Sequence, residues 1–337
     1  MIILLNKYCN GTGGLEKWRK LRFDLEKNYL GKDYSIVSGF KEFKATYKKK
    51  FERGERVFVA AGGDGTVNFL LNQLMDLGNG SQKELVLGAI GLGSSNDFHK
   101  SFLRKDNGQS SGDVYGLTPN ARNKPSLTKS RIQTHGNGRV PVKLNYEQAK
   151  LHNVGLVDYE DLDNRNHRRY FIVNCSVGLI AQANHLFNSD DRVVSWLKPK
   201  WVEGTIWYAA LETLFTAKNI PTRLQIGDER VETELTTMSV FINPNVSGNF
   251  RYDLEISPQS DYLGVALCEK MGLPARVRTI VSMTQGKFVG LPKTRAWRAR
   301  AIEIAPSTPI ALEMDGEVSL ARRIRIRLLR KALRVCQ

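Results

Sequence analysis

Arg56 to Met75, RVFVAAGGDGTVNFLLNQLM, passes from strand through a glycine turn into a helix with nothing in between. Val57, Phe58 and Val59 form a short β-branched and aromatic run bounded by a turn, the pattern of a buried parallel strand. Gly62, Gly63 and Gly65 follow, and backbone without Cβ can approach an anion closely and aim several N–H groups at it. Val67, Leu70, Leu71 and Leu74 then repeat at i, i+3, i+4, i+7, which predicts a helix with one face on the sheet and its positive end at the turn. Strand, turn and helix in this order make a phosphate site. Asp64 puts a carboxylate where the anion would lie, which makes sense if Mg2+ sits between carboxylate and phosphates. Read structurally, the same Gly-Gly-Asp-Gly is a tight turn with Asp64 as a helix cap.

The same order of elements recurs on both sides. Ile2 to Leu5 is an apolar strand followed by Asn6-Lys7 and the run Asn10-Gly11-Thr12-Gly13-Gly14, and a helix is expected from about Leu15 to Asn28. The spacing is not G-x-x-x-x-G-K-[ST], so this is no Walker A loop. Leu85 to Ile90 is a further buried strand and ends in Gly91-Leu92-Gly93-Ser94-Ser95-Asn96-Asp97-Phe98. Open parallel sheets bind ligands beyond the carboxyl ends of their strands, so the three turns are expected to converge on one crevice. Tyr34 to Val37 supplies another strand, and Lys41 to Arg53 a strongly basic helix.

From Arg104 to about Tyr146 the periodicity fades into Gly, Asn, Ser, Pro and Lys, a long excursion at a domain boundary. Beyond it, strand-like runs follow at short spacing: Leu151 to Leu156, Arg169 to Cys175, Arg223 to Ile226, Thr237 to Ile242, Gly264 to Cys268, Arg300 to Ile304, Ile310 to Glu313 and Ile324 to Leu328. One helix interrupts them, Trp201 to Ala217, with Ile206, Ala209, Ala210, Thr213 and Leu214 on one face. Strands with few helices predict an antiparallel β domain.

At 337 residues, 41% hydrophobic and 25% charged, the chain is long enough for two domains with real cores. No apolar run approaches the ~18 residues of a spanning helix, and MIILLN reads as the first strand rather than a signal peptide. Cys9, Cys175, Cys268 and Cys336 lie far apart, which argues against a zinc site or disulfide framework and points to a reducing cytoplasm. A net charge of +16 favours an anionic partner: nucleic acid, an anionic membrane surface or a phosphorylated ligand. Arg323, Arg325 and Arg327 alternate with Ile324, Ile326 and Leu328, so one strand face is basic.

AAGGDGTVN at Ala60 to Asn68, LGAIGLGSSNDF at Leu87 to Phe98 and MDGE at Met314 to Glu317, in this order, resemble the diacylglycerol kinase catalytic family, bacterial lipid kinases that are also similar to sphingosine and ceramide kinases. The resemblance implies an α/β nucleotide-binding domain of the phosphofructokinase/NAD kinase-like kind plus a β-sandwich domain. The first spans 1–150, with residues about 318–337 open to a return to it, and the second, which takes the lipid substrate, spans 151–317. It also implies ATP and Mg2+ as cofactors and transfer of the γ-phosphate to a lipid hydroxyl. Carried over by position, Gly62, Gly63, Asp64, Gly65, Thr66, Val67 and Asn68 would hold ATP phosphates, with Ser94, Asn96, Asp97 and Asn6 also at the nucleotide. Asp64, Asp97 and Asp158 match acidic positions associated with the metal and the substrate hydroxyl, and Glu317 matches the proton acceptor. Asp315, if the segment is extended, would share Glu317's strand face. Pro258, Asp261 and Leu263 fall where related bacterial kinases hold a structural Mg2+.

The chain departs from the family at Gly91, Ser95, His99-Lys100 and Lys7, and Tyr262 replaces Gly in the structural-metal segment. The expected partners are ATP and a lipid such as diacylglycerol, ceramide or a sphingoid base at an anionic membrane surface. No nucleic acid is expected, a homodimer is compatible, and the location is cytoplasmic and peripheral to the inner membrane face. The alternatives are an NAD kinase-like enzyme and a non-catalytic nucleotide- or nucleic-acid-binding protein.

Overall fold

The computed structural model describes residues 1–9, 13–30, 34–77, 81–100, 131–133, 139–197, 200–246 and 250–337. Most of the expected 104–146 excursion and Asn10, Gly11 and Thr12 lie outside the described residues. The chain forms two compact units: Met1–His152 with Leu333–Gln337, and Asn153–Ala332.

Unit 1 contains β1 (Ile2–Leu5), α1 (Gly13–Leu25), β2 (Ser35–Ser38), α2 (Phe40–Glu52), β3 (Val57–Gly62), α3 (Asp64–Asp76), β4 (Val86–Gly91), β5 (Arg131–Gln133) and β6 (Arg139–Lys143). The strands β2, β1, β3 and β4 lie side by side and parallel in that order. This is why β1, β3 and β4 read as unbroken apolar runs, for a parallel strand is buried on both faces. Ile3, Leu4, Phe58, Val59, Leu87 and Ile90 are fully buried. Val67, Leu70, Leu71 and Leu74 of α3 are buried as their spacing predicts. Asn72 is buried too, and its amide donates to Asn68 O and Oδ1 at 2.9 and 3.1 Å.

Unit 2 is the β-sandwich. Its strands are β7 (Lys150–Glu160), β8 (Asn166–Phe171), β9 (Asn174–Gly178), β10 (Ile220–Ile226), β11 (Glu229–Phe241), β12 (Asn245–Val246), β13 (Phe250–Arg251), β14 (Leu263–Glu269), β15 (Thr294–Ala299), β16 (Ala301–Pro306), β17 (Ile310–Met314), β18 (Glu317–Ala321) and β19 (Arg323–Val335). The thirteen-residue β11 is shared: its first half pairs with β10, its second with β9, and β14 lies along its other edge. One run continues from β9 to β17 and β18, the other from β10 to β16 and β19. Between them lies a core that includes Val157, Phe171, Val177, Leu224, Val240, Leu267, Ile304, Leu312 and Ile326.

Several expectations need correction. Arg169 to Cys175 is two strands, with a break at Ile172–Val173. Among its described residues unit 2 has four helices where one was expected: α4 (Leu179–Phe187), α5 (Arg192–Leu197), α6 (Val202–Thr216) and α7 (Leu273–Thr284). Ile206 does not join the buried face of α6 but stands 45% exposed, while Thr205, Ala209 and Thr213 are buried. The C-terminal return to unit 1 is confined to Leu333–Gln337, and residues 318–332 belong to unit 2. There Arg334 and Val335 pair with Val86 and Leu87 of β4, and the Cys336 N–H donates to Leu87 O at 2.9 Å.

Candidate active site

The three turns of unit 1 meet. Gly63 and Gly93 touch backbone to backbone, so that a Cβ built on Gly93 would fall 2.5 Å from Gly63 Cα. Only glycine permits that approach. The Leu92 N–H donates to Gly62 O at 2.9 Å, and Asn6 Nδ2 donates to Thr66 Oγ1 at 3.1 Å, tying the first turn to the head of α3. Asp64 makes the third link: its two carboxylate oxygens accept the N–H groups of Asp97 and Phe98, both at 3.0 Å. It thereby caps the short helix Asp97–His99, and charge-assisted bonds of this kind are among the stronger ones.

Around this junction Ser94 is exposed, while Thr66, Val67, Asn68 and Asp97 are buried. Asp97 carries a salt bridge from Lys100. Asn96 takes the left-handed conformation, and its Nδ2 donates to Gly91 O and Gly93 O at 3.3 and 3.0 Å. Its Oδ1 is buried with no hydrogen-bond partner among the described residues. The glycine junction thus fits nucleotide phosphates. For Mg2+, Asp64 is the carboxylate placed at this junction, and it could take an ion carried in on ATP. His99 stays neutral, since burial, aided by the nearby Lys143 charge, holds it down to about 3.

In unit 2, Asp315 and Gly316 are the two turn residues of the β17–β18 hairpin, with φ of 47° and 96°. Two positive φ values in a two-residue loop are what a twisted hairpin requires. Asp315 therefore does not share a strand face with Glu317, because the segment turns where an extended chain was assumed. The Asp315 carboxylate is buried and accepts three N–H groups, from Ile172, Val173 and Asn174, at 2.8, 3.0 and 2.9 Å. These bonds account for the strand break there. Glu317, at the head of β18, is exposed. The protein around its carboxyl nevertheless raises its pKa above the ordinary value, opposed by the Arg169 charge.

Asp158 is engaged by two arginines, Arg168 Nε at 2.7 Å and Arg327 Nη2 at 2.8 Å. Partial burial pushes its carboxyl up, but these guanidinium bonds outweigh that and hold it below the usual range. Its environment is that of a structural ion pair.

The structural-metal segment does not fit a cation. The Pro258 carbonyl accepts the Asn153 N–H at 2.8 Å, Asp261 is paired with Arg330, and Arg300 Nε donates to Asp261 O at 3.2 Å. The Arg300 guanidinium also lies 5.0 Å over the Tyr262 ring. Leu263 is buried at the start of β14. Guanidinium groups thus engage both the Asp261 carboxylate and its carbonyl, where the expected divalent ion would need the carboxylate. Chelation should therefore leave the melting midpoint of the nucleotide-free protein within about 1 °C of its value in Mg2+, as scanning calorimetry can check. A fall of several degrees would restore the metal, since a structural ion contributes folding energy directly.

Two residues at these positions carry no motif. Lys17 Nζ donates to Leu92 O at 3.4 Å on the Gly93 turn. Glu313 is buried two residues before Asp315, accepting from the Ser176 hydroxyl at 2.6 Å and the Gly316 N–H at 2.5 Å. An acidic residue inside the otherwise apolar IALEM strand was the available signal for Glu313.

Comparison with known proteins matches residues 1–118 to the diacylglycerol kinase catalytic domain and residues 175–337 to the YegS C-terminal NAD kinase beta sandwich-like domain. A diacylglycerol kinase of Staphylococcus saprophyticus is 23% identical over 316 residues, covering 91% of this chain and 87% of that protein. One from Staphylococcus epidermidis is 22% identical, with 91% and 84% covered. The crystal structure of a diacylglycerol kinase from Bacillus anthracis superposes with a TM-score of 0.58 at 15% identity, covering 99% of this chain and 96% of that one. A second structure from that organism reaches 0.65 at 17% identity, with 99% and 94% covered. At such identities the structures speak for the fold alone, while the family matches, beside relatives aligned along nine-tenths of the chain, identify two domains: residues 1–118 match the diacylglycerol kinase catalytic domain and residues 175–337 the YegS C-terminal NAD kinase beta sandwich-like domain.

Proposed function

We propose that this protein is an ATP-dependent lipid kinase that transfers the γ-phosphate to the hydroxyl of a lipid such as diacylglycerol, ceramide or a sphingoid base. The observation that carries the reading is the junction of unit 1, where Asp64 and the Gly63–Gly93 contact bind separate turns into one surface of glycine-turn backbone at the head of a helix. A surface of this kind holds phosphates and stabilises charge on a transferring phosphoryl group. Bound ATP with its Mg2+ would supply the phosphoryl group and neutralise part of its charge. Gly62 to Asn68 and the Ser94–Asp97 turn orient the phosphates, with Asp64 as the carboxylate toward the ion. A lipid hydroxyl is a poor nucleophile at neutral pH, and Glu317 accepts its proton. Asp315 acts by fixing the hairpin from which Glu317 projects. Asp158 acts through its arginines, as a positioning residue.

Phosphate transfer from labelled ATP to a panel of lipids in mixed micelles, with NAD alongside, tests the reading. Mg2+-dependent label on a lipid is expected; label on NAD alone, or on nothing, overturns it.

The raised Glu317 carboxyl sets a pH dependence. A base works only when deprotonated, so kcat/KM should fall on the acid side through a pKa above that of an ordinary glutamate. The Arg169 charge opposes the shift, so Arg169→Ala should move this limb to higher pH. A pH–rate profile unchanged by that substitution would remove Arg169 from the account.

A further inference from the structure

Three of the five tryptophans lie between residues 196 and 207, and all three are exposed. Trp196 of α5, Trp201 just before α6, and Trp207, Leu211 and Phe215 along α6 are between 49% and 66% exposed. Trp207, Leu211 and Phe215 follow at i, i+4, i+8 and form one stripe, while the other side of the helix buries Thr205, Ala209 and Thr213. A contiguous apolar surface of this kind marks an interaction site.

We infer that the α5–α6 face of unit 2 docks on an anionic lipid bilayer. Indole rings prefer the boundary between headgroups and acyl chains, being apolar with one polar N–H. Lysines bracket the stripe: Lys200 and Lys218 are exposed at the two ends of α6, and Lys200 Nζ lies 4.1 Å over the Trp196 ring. Lysines so placed rest their stems on apolar surface and raise their charge to headgroup phosphates. The chain's net charge of +16 adds attraction to anionic lipid. No described helix is long and apolar enough to cross a membrane, so α6, about 22 Å long at 1.5 Å per residue, lies along the interface. The patch also has a link to the hairpin: α6 packs on α4, and α4 packs on β17 and β18, the strands that carry Asp315 and Glu317. The inference rests on the lipid-kinase reading for its purpose, but its test does not.

The full chain, without ATP, is mixed with phosphatidylglycerol–phosphatidylcholine vesicles and sedimented. Trp207→Ala with Phe215→Ala should weaken partitioning at least tenfold with an unchanged melting midpoint. Brominated phosphatidylcholine should quench the wild-type fluorescence, and a variant with Trp196, Trp201 and Trp207 changed to Phe should lose that quenching, leaving the signal of Trp18 and Trp297. Unaltered partitioning in the double variant, or an unquenched wild type, overturns the surface. A dimer that the double variant dissociates, with no vesicle binding, assigns the face to a second copy and also overturns it. Wild-type vesicle binding and quenching without phosphorylation of any lipid would sustain the surface while the kinase reading fails. Lipid phosphorylation with unaltered partitioning in the double variant would do the reverse.

Discussion

Asp315→Ala is expected to lower the unfolding free energy by on the order of 4 kcal/mol, because three buried N–H groups lose their acceptor at once. Each orphaned buried donor costs ~1–3 kcal/mol, and water entering the space left by the side chain recovers part of it. Against a total stability of ~5–15 kcal/mol this is a large fraction. The Ile172–Asn174 segment joins β8 to β9, and β9 pairs with both β11 and β17, so the loss falls at the centre of the sandwich. Asp315→Asn keeps one acceptor oxygen and should cost about half as much. Urea unfolding followed by circular dichroism measures both. A midpoint near wild type for Asp315→Ala would mean that the turn, with its positive φ, holds the hairpin without the carboxylate.

Glu317→Gln should do the opposite: turnover falls by about 10²–10⁴-fold, the usual contribution of a positioned base, while stability is kept. Glu317 is exposed and no hydrogen bond of the hairpin depends on its side chain, and surface changes of this kind stay within about 0.5 kcal/mol. Rates at saturating ATP and lipid, with a melting curve beside them, separate the two effects. Wild-type turnover would assign the proton to another acceptor and leave MDGE as a turn only.

The contrast between these neighbours shows where sequence reading stops. Spacing alone gave the α/β unit, because β1, β3 and β4 are apolar throughout and α3 has a regular apolar face. The convergence of the three turns was legible as well, since parallel strands all end on one side. What each carboxylate binds was not. Asp64 and Asp315 are both aspartates beside a glycine, and both give their oxygens to backbone N–H groups 33 or more residues away. No local pattern records such a partner. Asp261 and Asp158 likewise turn out to face arginines from β19. The missed helices have a different cause. LIAQANHLF is only nine residues long and follows directly on the apolar strand β9, and short apolar runs of that kind read equally well as strand.

The five residues Leu333–Gln337 have a consequence for how the protein is made. They line the edge of β4, exchanging bonds with Leu85, Leu87 and Asn145. A ribosome releases the first 152 residues well before these, with all of unit 2 synthesised in between. At the usual pace of translation the delay is roughly 10–40 s. During that interval Val86 and Leu87, the part of the β4 edge that β6 does not cover, offer unpaired N–H and C=O groups to any passing strand. The N-terminal unit therefore stays incomplete until residues 333–337 have been made, and a deletion of these five would damage the part of the protein that was made first.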